Sequence, residues 1–228
     1  MEVNQNIKVS VDAVVFGYSS SKGLQVLLIK RDIEPFKGSW ALPGGLVKNN
    51  ETLESAIGRE LAEETGVSIN YLEQLYTFGE PNRDPRNRVV TIAYFGFVKP
   101  SKFNIQADTD ANDVKWFNIK EIPALAFDHN NILGVALNRV RGKITYEPIG
   151  FELIDKKFPF SDLQKLYEVL LDTSLDRRNF KKKILSFGFV EETKERQRME
   201  GSGRPGYLYK FNEKKYFQLK KDGIAFEI

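Results

Sequence analysis

The sequence predicts an α/β (α+β) protein, with a mixed sheet layered between helices and a small, separate C-terminal domain. Three observations carry that expectation. Apolar strand-like runs alternate with helical periodicity, but without the regular rhythm of βαβ units. Pro148 and Pro159 interrupt the segment Glu147 to Ser161, where periodicity lapses on both sides. Charge also divides unevenly there. Residues 1–147 hold 17 Lys+Arg against 18 Asp+Glu, a balance of −1, while residues 148–228 hold 17 against 13, or +4. Arg177 to Lys210 alone carries ten basic and four acidic residues. The expected domains are 1–147, near neutral, and 148–228, basic.

The whole chain has 228 residues and a formal net charge of +3. The absence of cysteine excludes disulfide scaffolds, thiolate catalysis and cysteine-built metal sites. The single histidine, His129, excludes sites needing several imidazoles. A metal here would rest on carboxylate oxygens, which favours Mg²⁺ or Mn²⁺. No apolar run approaches the roughly 20 residues of a membrane span, and the N-terminus lacks a signal-peptide pattern. The expectation is a soluble cytoplasmic protein with no membrane partner.

The elements follow in order. Lys8 to Tyr18 and Leu24 to Arg31 are apolar strands joined by SSSKG, a hairpin signal. Arg88 to Val98 and Val114 to Ile119 are further strands. Thr52 to Thr65 is helical, opened by acidic Glu51 and closed by Gly66. Another helix is expected from Asn130 to Arg141.

The first helix carries chemistry. Leu53, Ile57 and Leu61 form its apolar stripe. Glu60 and Glu64 fall inside or beside that stripe, and Glu63 on its edge. Carboxylates three and four apart repel one another, and turning them toward a core needs a compensating cation. One reading is an acidic solvated helix with an imperfect stripe; the other is an oxygen cage for a divalent ion. The spacing G-x5-E-x7-R-E-L-x-E-E-x-G-V from Gly45 to Val67 resembles the complete Nudix box, and Trp40 to Gly45 resembles the Nudix lead-in. That resemblance implies cleavage of nucleoside diphosphates linked to another group. It makes Glu60, Glu63 and Glu64 the metal carboxylates, with the Gly44 carbonyl beside them. Glu51 and Arg59 would orient the helix through an ion pair. Asp108, Asp110, Asp113 and Glu80 are candidates for a base or extra ligand outside the box, or solvated loop acids.

Arg83, Arg86 and Arg88 lie within six residues before a strand, a spacing suited to phosphates or to a charged hairpin turn. The stretch resembles one in Nudix proteins that handle ADP-ribose, which points to Arg83 and Arg86 as ligand contacts. Arg31 and Trp40 are further candidates, Trp40 being equally suited to a core. His129 lies in Ala126-Phe127-Asp128-His129, which also resembles those relatives, and is given no catalytic role.

In the basic domain, Ser161 to Gln164 reads as a capping box, followed by an apolar stripe of Leu163, Leu166, Tyr167 and Leu170. A turn leads to Arg177–Gly188, where Phe180, Ile184 and Phe187 share one face. Arg178, Lys181 and Lys182 take the opposite arc. Phe189–Glu191 and Tyr207–Phe211 read as paired strands across a basic connection containing Arg198 and Arg204. Helix, turn, basic helix and hairpin is the layout of a winged helix-turn-helix. Arg177, Arg178, Lys181, Lys182, Arg198 and Arg204 are therefore the candidate DNA contacts; the alternative is a solvated accessory domain.

Together the halves resemble the Nudix-related transcriptional regulators, on PFKGSWALPGG and SGRPGYLYKF most specifically. The resemblance implies a homodimer that binds operator DNA in response to ADP-ribose or a related nucleotide or sugar metabolite. One departure matters: such regulators often carry a degraded box, and this one is intact. An active Mg²⁺-dependent hydrolase with an accessory domain is the second expectation.

Overall fold

The computed structural model describes residues 6–69, 71–100, 114–197, 206–223 and 225–228. They form two compact units. One comprises the chain up to Gly17 with Leu24–Arg139; the other comprises Tyr18–Gly23 with Val140–Ile228.

The first unit is built on β1 (Lys8–Ser19), whose residues from Ser10 to Tyr18 are all buried, as a central strand requires. It lies between β2 (Gly23–Lys30) and β6 (Val89–Val98) in a seven-stranded sheet ordered β3-β2-β1-β6-β5. Here β3 is Trp40–Ala41 and β5 is Tyr71–Phe78. The short β4 (Gly44–Leu46) pairs with β1, and β7 (Val114–Asn118) pairs with β2. β1 and β6 run parallel, whereas β4, β3, β7 and β5 pair antiparallel, so the sheet is mixed.

Alternation along β1 sorts its two faces. Val11, Ala13 and Val15 pack with Ala56, Ile57 and Leu61 of α1 (Leu53–Thr65). Ser10 and Asp12 therefore point to the other face. Helix α1 starts one residue later than Glu51 suggests. Thr52 is its N-cap, accepting from the Ser55 amide, and Gly66 closes it at φ 66°. Glu51 instead accepts from the Lys48 amide, outside the helix. The second helix, α2 (His129–Tyr146), runs five residues past its expected end. Strand β5 escapes the sequence pattern because it is a sheet edge: Gln74, Tyr76 and Thr77 are exposed and the register shifts between Gln74 and Tyr76.

The second unit continues through a 3-10 turn at Ile149–Glu152, β8 (Lys157–Pro159), α3 (Phe160–Leu171) and α4 (Arg177–Ser186). It closes with β9 (Val190–Arg196), β10 (Tyr207–Phe211) and α5 (Glu213–Lys221). The strands form an antiparallel sheet in the order β8-β10-β9. With α3 and α4, this is a winged helix. The expected capping box is corrected: Pro159 is the N-cap of α3, with no side-chain cap, because β8 runs directly into the helix. Ser161 lies inside the first turn, and Gln164 turns to Glu168 and the Leu175 carbonyl. Leu163, Leu166, Tyr167, Leu170, Phe180 and Ile184 are buried as the periodicity predicts.

Candidate functional site

The Asp12 face of the sheet carries an open cleft whose lining includes Ser10, Asp12, Arg31, Arg83, Arg86 and Phe127. Its floor is a buried ionic network. Thr91 Oγ1 donates to Asp12 Oδ2 at 2.7 Å, and Arg83 Nη2 reaches the same oxygen at 3.4 Å. Arg83 also forks onto Asp128, from Nε to Oδ2 at 3.0 Å and from Nη2 to Oδ1 at 2.7 Å. The Arg83 side chain is only 4% exposed. Its guanidinium binds two carboxylates from distant parts of the chain, which joins the loop before β6 to β1 and to the start of α2.

His129 completes that floor. Its Nδ1 accepts from the Leu42 amide at 2.9 Å, while Nε2 faces Asp12 Oδ1 at 3.6 Å. Burial holds its pKa below the usual histidine value, and an accepting Nδ1 requires the neutral ring. The imidazole thus pins Leu42, and the Ala13 amide, donating to the Pro43 carbonyl, pins the next residue. That fixes the lead-in to Gly44 and Gly45. Gly44 tolerates no side chain, because a β-carbon would overlap the Val11 carbonyl oxygen; at Gly45 a β-carbon would displace the Glu60 carboxylate.

The wall carries the cations. Arg31 stands 4.8 Å from the Phe127 ring centroid and Arg86 5.7 Å from it. Phe127 adopts φ 55°, a costly conformation for a side chain of this size. It meets Phe36 edge-on at 4.8 Å. Arg31 spends its hydrogen bonds on the carbonyls of Pro35 and Ile33. Burial lowers its pKa first and the like charge of Arg86 second. Arg86 forks onto Asp84, which raises the arginine and lowers the acid. Beside them Ser10 Oγ is buried without a hydrogen-bond partner among the described residues. Two cations over one ring, with an unsatisfied hydroxyl nearby, suit an anionic ligand that carries a planar group.

The α1 carboxylates separate by exposure as the helical pattern predicts. Glu60 is 13% exposed at its side chain and Glu63 57%. Glu64 Oε2 accepts from the Gly44 amide at 2.9 Å. Burial pushes Glu64 up to about 7, with further upward pressure from the Glu60 and Asp12 charges. Arg59 binds Glu51 through Nε and Nη2 at 3.0 and 2.7 Å. Its Nη1 meets Glu60 at 2.7 Å and Glu63 at 3.2 Å. Arg59 holds Glu51 down to about 2, chiefly through these hydrogen bonds, and is itself raised.

Among the described residues, no three acidic or histidine side chains converge on one point that would hold an ion. The donor chemistry still fits a hard divalent cation. Glu60 stands against Gly45 and Glu64 against Gly44, and their carboxylates repel. At Gly44 the contact formed is through its amide.

The other sequence candidates disperse. Trp40 packs edge-on against Phe117 at 4.8 Å and does not line the cleft. Glu80 is exposed. Asp108, Asp110, Asp113, Arg198 and Arg204 lie outside the described residues. Asp12, Ser10, Asp84, Phe127 and Asp128 went unselected in the sequence. Asp12 had a visible signal, since it is the only charge in the apolar run Val9 to Phe16.

In the second unit, Asp176 caps α4 by accepting from the Asn179 amide at 2.8 Å. Arg177, Arg178, Lys182 and Lys183 are exposed. Lys181 departs from the expected arc: its ammonium sits 5.6 Å over Phe160 and 5.1 Å over Tyr209, half-buried. Arg196 stacks on Tyr207 at 4.7 Å at the base of the wing.

Comparison with known proteins bears on both units. The NUDIX domain family matches residues 7–136, and the NrtR DNA-binding winged helix domain matches residues 150–211. The ADPR responsive transcriptional repressor NtrR of Acinetobacter baylyi is 34% identical over 206 residues, covering 89% of this chain and 81% of its own. The crystal structure of Shewanella oneidensis NrtR complexed with a 27mer DNA has a TM-score of 0.77 at 34% identity, covering 89% of this chain and 93% of that one. The NUDIX domain of the same protein complexed with ADP ribose has a TM-score of 0.53 at 38% identity, covering 60% and 90%. With both modules present in order and a relative matching along most of both chains, this chain belongs to the NrtR family of Nudix-related transcriptional regulators.

Proposed function

We propose that the chain is a DNA-binding transcriptional regulator whose operator affinity responds to ADP-ribose or a closely related nucleoside diphosphate. The observation that carries this reading is the Arg31–Phe127–Arg86 wall, joined in one chain to a winged helix with a basic α4. Likeness to a DNA-bound NrtR and to an ADP-ribose-bound NUDIX domain supports both halves of the reading.

In this reading residues 1–147 hold the effector and residues 148–228 hold DNA, as a homodimer in the cytoplasm. Arg31 and Arg86 bind the diphosphate, which competes with Asp84 for the Arg86 fork. Phe127 stacks against a ring, and Ser10 gains its missing hydrogen bond. Arg83, which also lines the cleft, holds the floor through Asp12 and Asp128. Arg177, Arg178 and Lys182 meet DNA from α4, with Arg198 and Arg204 on the wing connection. Phosphate neutralisation dominates the affinity.

The test is fluorescence anisotropy on duplex from the chain's own upstream region, with and without ADP-ribose. Wild type prefers that duplex over a scrambled one, and ADP-ribose shifts its affinity. Arg31→Ala weakens the ADP-ribose response more than tenfold, the loss of one charge-assisted contact. Equal affinity for both duplexes overturns the regulator reading.

The intact box favours a second, compatible reading: slow hydrolysis of the effector. Glu60, Glu63 and Glu64 would hold Mg²⁺ or Mn²⁺, which when bound neutralises diphosphate oxygens and activates water. Glu51 and Arg59 orient α1 for that task, and Gly44 and Gly45 let the backbone approach it. Release of AMP from ADP-ribose, lost in Glu63→Gln and in Glu64→Gln, is the expected result. No release with either metal confines the box to a sensing role.

A further inference from the structure

The last helix lies beyond residue 211, where the winged-helix match ends. Its sequence, EKKYFQLKK, holds four lysines and one glutamate. Asn212 caps it by accepting from the Lys215 amide at 3.1 Å. Tyr216 anchors it, 9% exposed, against Phe189 at 5.5 Å and Phe211 at 5.8 Å. Opposite that anchor, at the i, i+3, i+4, i+7 spacing of a single face, stand Lys214, Phe217, Gln218 and Lys221. All four are exposed, Phe217 by 51%. Lysines bracketing an uncovered aromatic ring form a surface made for an anionic partner.

The helix also continues the basic surface of α4. Gly188 lies two residues past the end of α4, and a β-carbon there would stand 3.9 Å from Lys215 Nζ. The Lys215 side chain of α5 thus reaches the turn that follows α4, whose last turn carries exposed Lys183. Lys214 and Lys221 are about 10 Å apart along the helix axis. That is the axial rise of about three nucleotides on one strand.

We propose that α5 is a second DNA-contacting element, whose Lys214 and Lys221 grip backbone phosphates beside the segment met by α4, with Phe217 against the sugars between them. The proposal rests on the regulator reading, and the experiment separates the two. Binding is measured by anisotropy against salt concentration, on the chain's upstream duplex and on a scrambled duplex.

Replacing both lysines, Lys214→Gln with Lys221→Gln, lowers the slope of log K against log salt by about 1.8, since each lost phosphate contact removes about 0.9. The loss is the same on both duplexes, so the preference between them is kept. Lys214→Arg with Lys221→Arg keeps the wild-type slope, and Phe217→Ala weakens both duplexes without changing it. An unchanged slope in the glutamine pair, with wild-type binding intact, overturns the proposal. So does an unchanged slope accompanied by dissociation of Phe217→Glu into monomers, which reassigns the face to protein contact. If the wild-type chain binds neither duplex, the regulator reading fails first and takes this proposal with it.

Discussion

The two units use charged residues in opposite ways. In the first, Arg83 is 4% exposed and locked to Asp12 and Asp128, and Arg59 gathers Glu51, Glu60 and Glu63. In the second, a core of aromatic rings packed edge-on and tilted carries the fold, and Arg177, Arg178, Lys182 and Lys183 stand in solvent. Charge density is therefore a poor guide to what a basic residue does. Buried arginines stabilise a site's shape, while exposed lysines remain available to a phosphate.

The largest test of this contrast is Arg83→Met. It leaves buried Asp12 and part-buried Asp128 without their shared cation and costs about 3–5 kcal/mol. In urea denaturation, Lys182→Ala stays within about 0.5 kcal/mol of wild type. Equal costs for the two variants break the comparison. Next in size is Phe180→Ala, which removes a buried ring packed on Tyr167 and Phe160 and costs about 3 kcal/mol.

The same contrast explains what was legible in the sequence. Binary patterning reached β1, α1, α3 and α4, because each buries one strong stripe or run. The fixed spacing from Gly45 to Val67 reached the carboxylate helix. It did not reach Arg83's carboxylate partners. A phosphate-binding arginine and a structural one look alike until Asp12 and Asp128, 71 and 45 residues away, are brought beside it. Phe127 was hidden for the same reason, since a cleft wall assembled from three loops has no local period. Lys181 was misplaced by the helical arc, because Phe160 and Tyr209 arrive from outside its own helix.

The third test concerns Glu64. Its carboxyl titrates near 4.5 when unfolded and near 7 when folded. Between those values the folded chain holds a proton that the unfolded chain has lost. Stability is thus fully present below about pH 4.5 and falls as pH rises toward 7. In chelator, Glu64→Gln matches wild type at low pH and exceeds it by about 1–3 kcal/mol at pH 8. Identical pH profiles from thermal melts refute the buried, repelled carboxylate. Mg²⁺ narrows the gap at pH 8 by favouring the ionised wild-type side chain.

The smallest effect is the most discriminating between adjacent residues. Lys181 and Lys182 are neighbours on one basic helix, yet only Lys182 faces solvent. Lys181 lies over two rings, an arrangement worth about 0.5–1 kcal/mol. Lys181→Met keeps the aliphatic stem on those rings and loses only that charge contact. It should lower stability by no more than about 1 kcal/mol and leave the salt slope of DNA binding unchanged. Lys182→Ala should do the reverse, leaving the melt unchanged while lowering the slope by about 0.9. If both substitutions lower the slope, Lys181 leaves its aromatic seat on binding. The division between structural and DNA-facing cations then fails inside α4 itself.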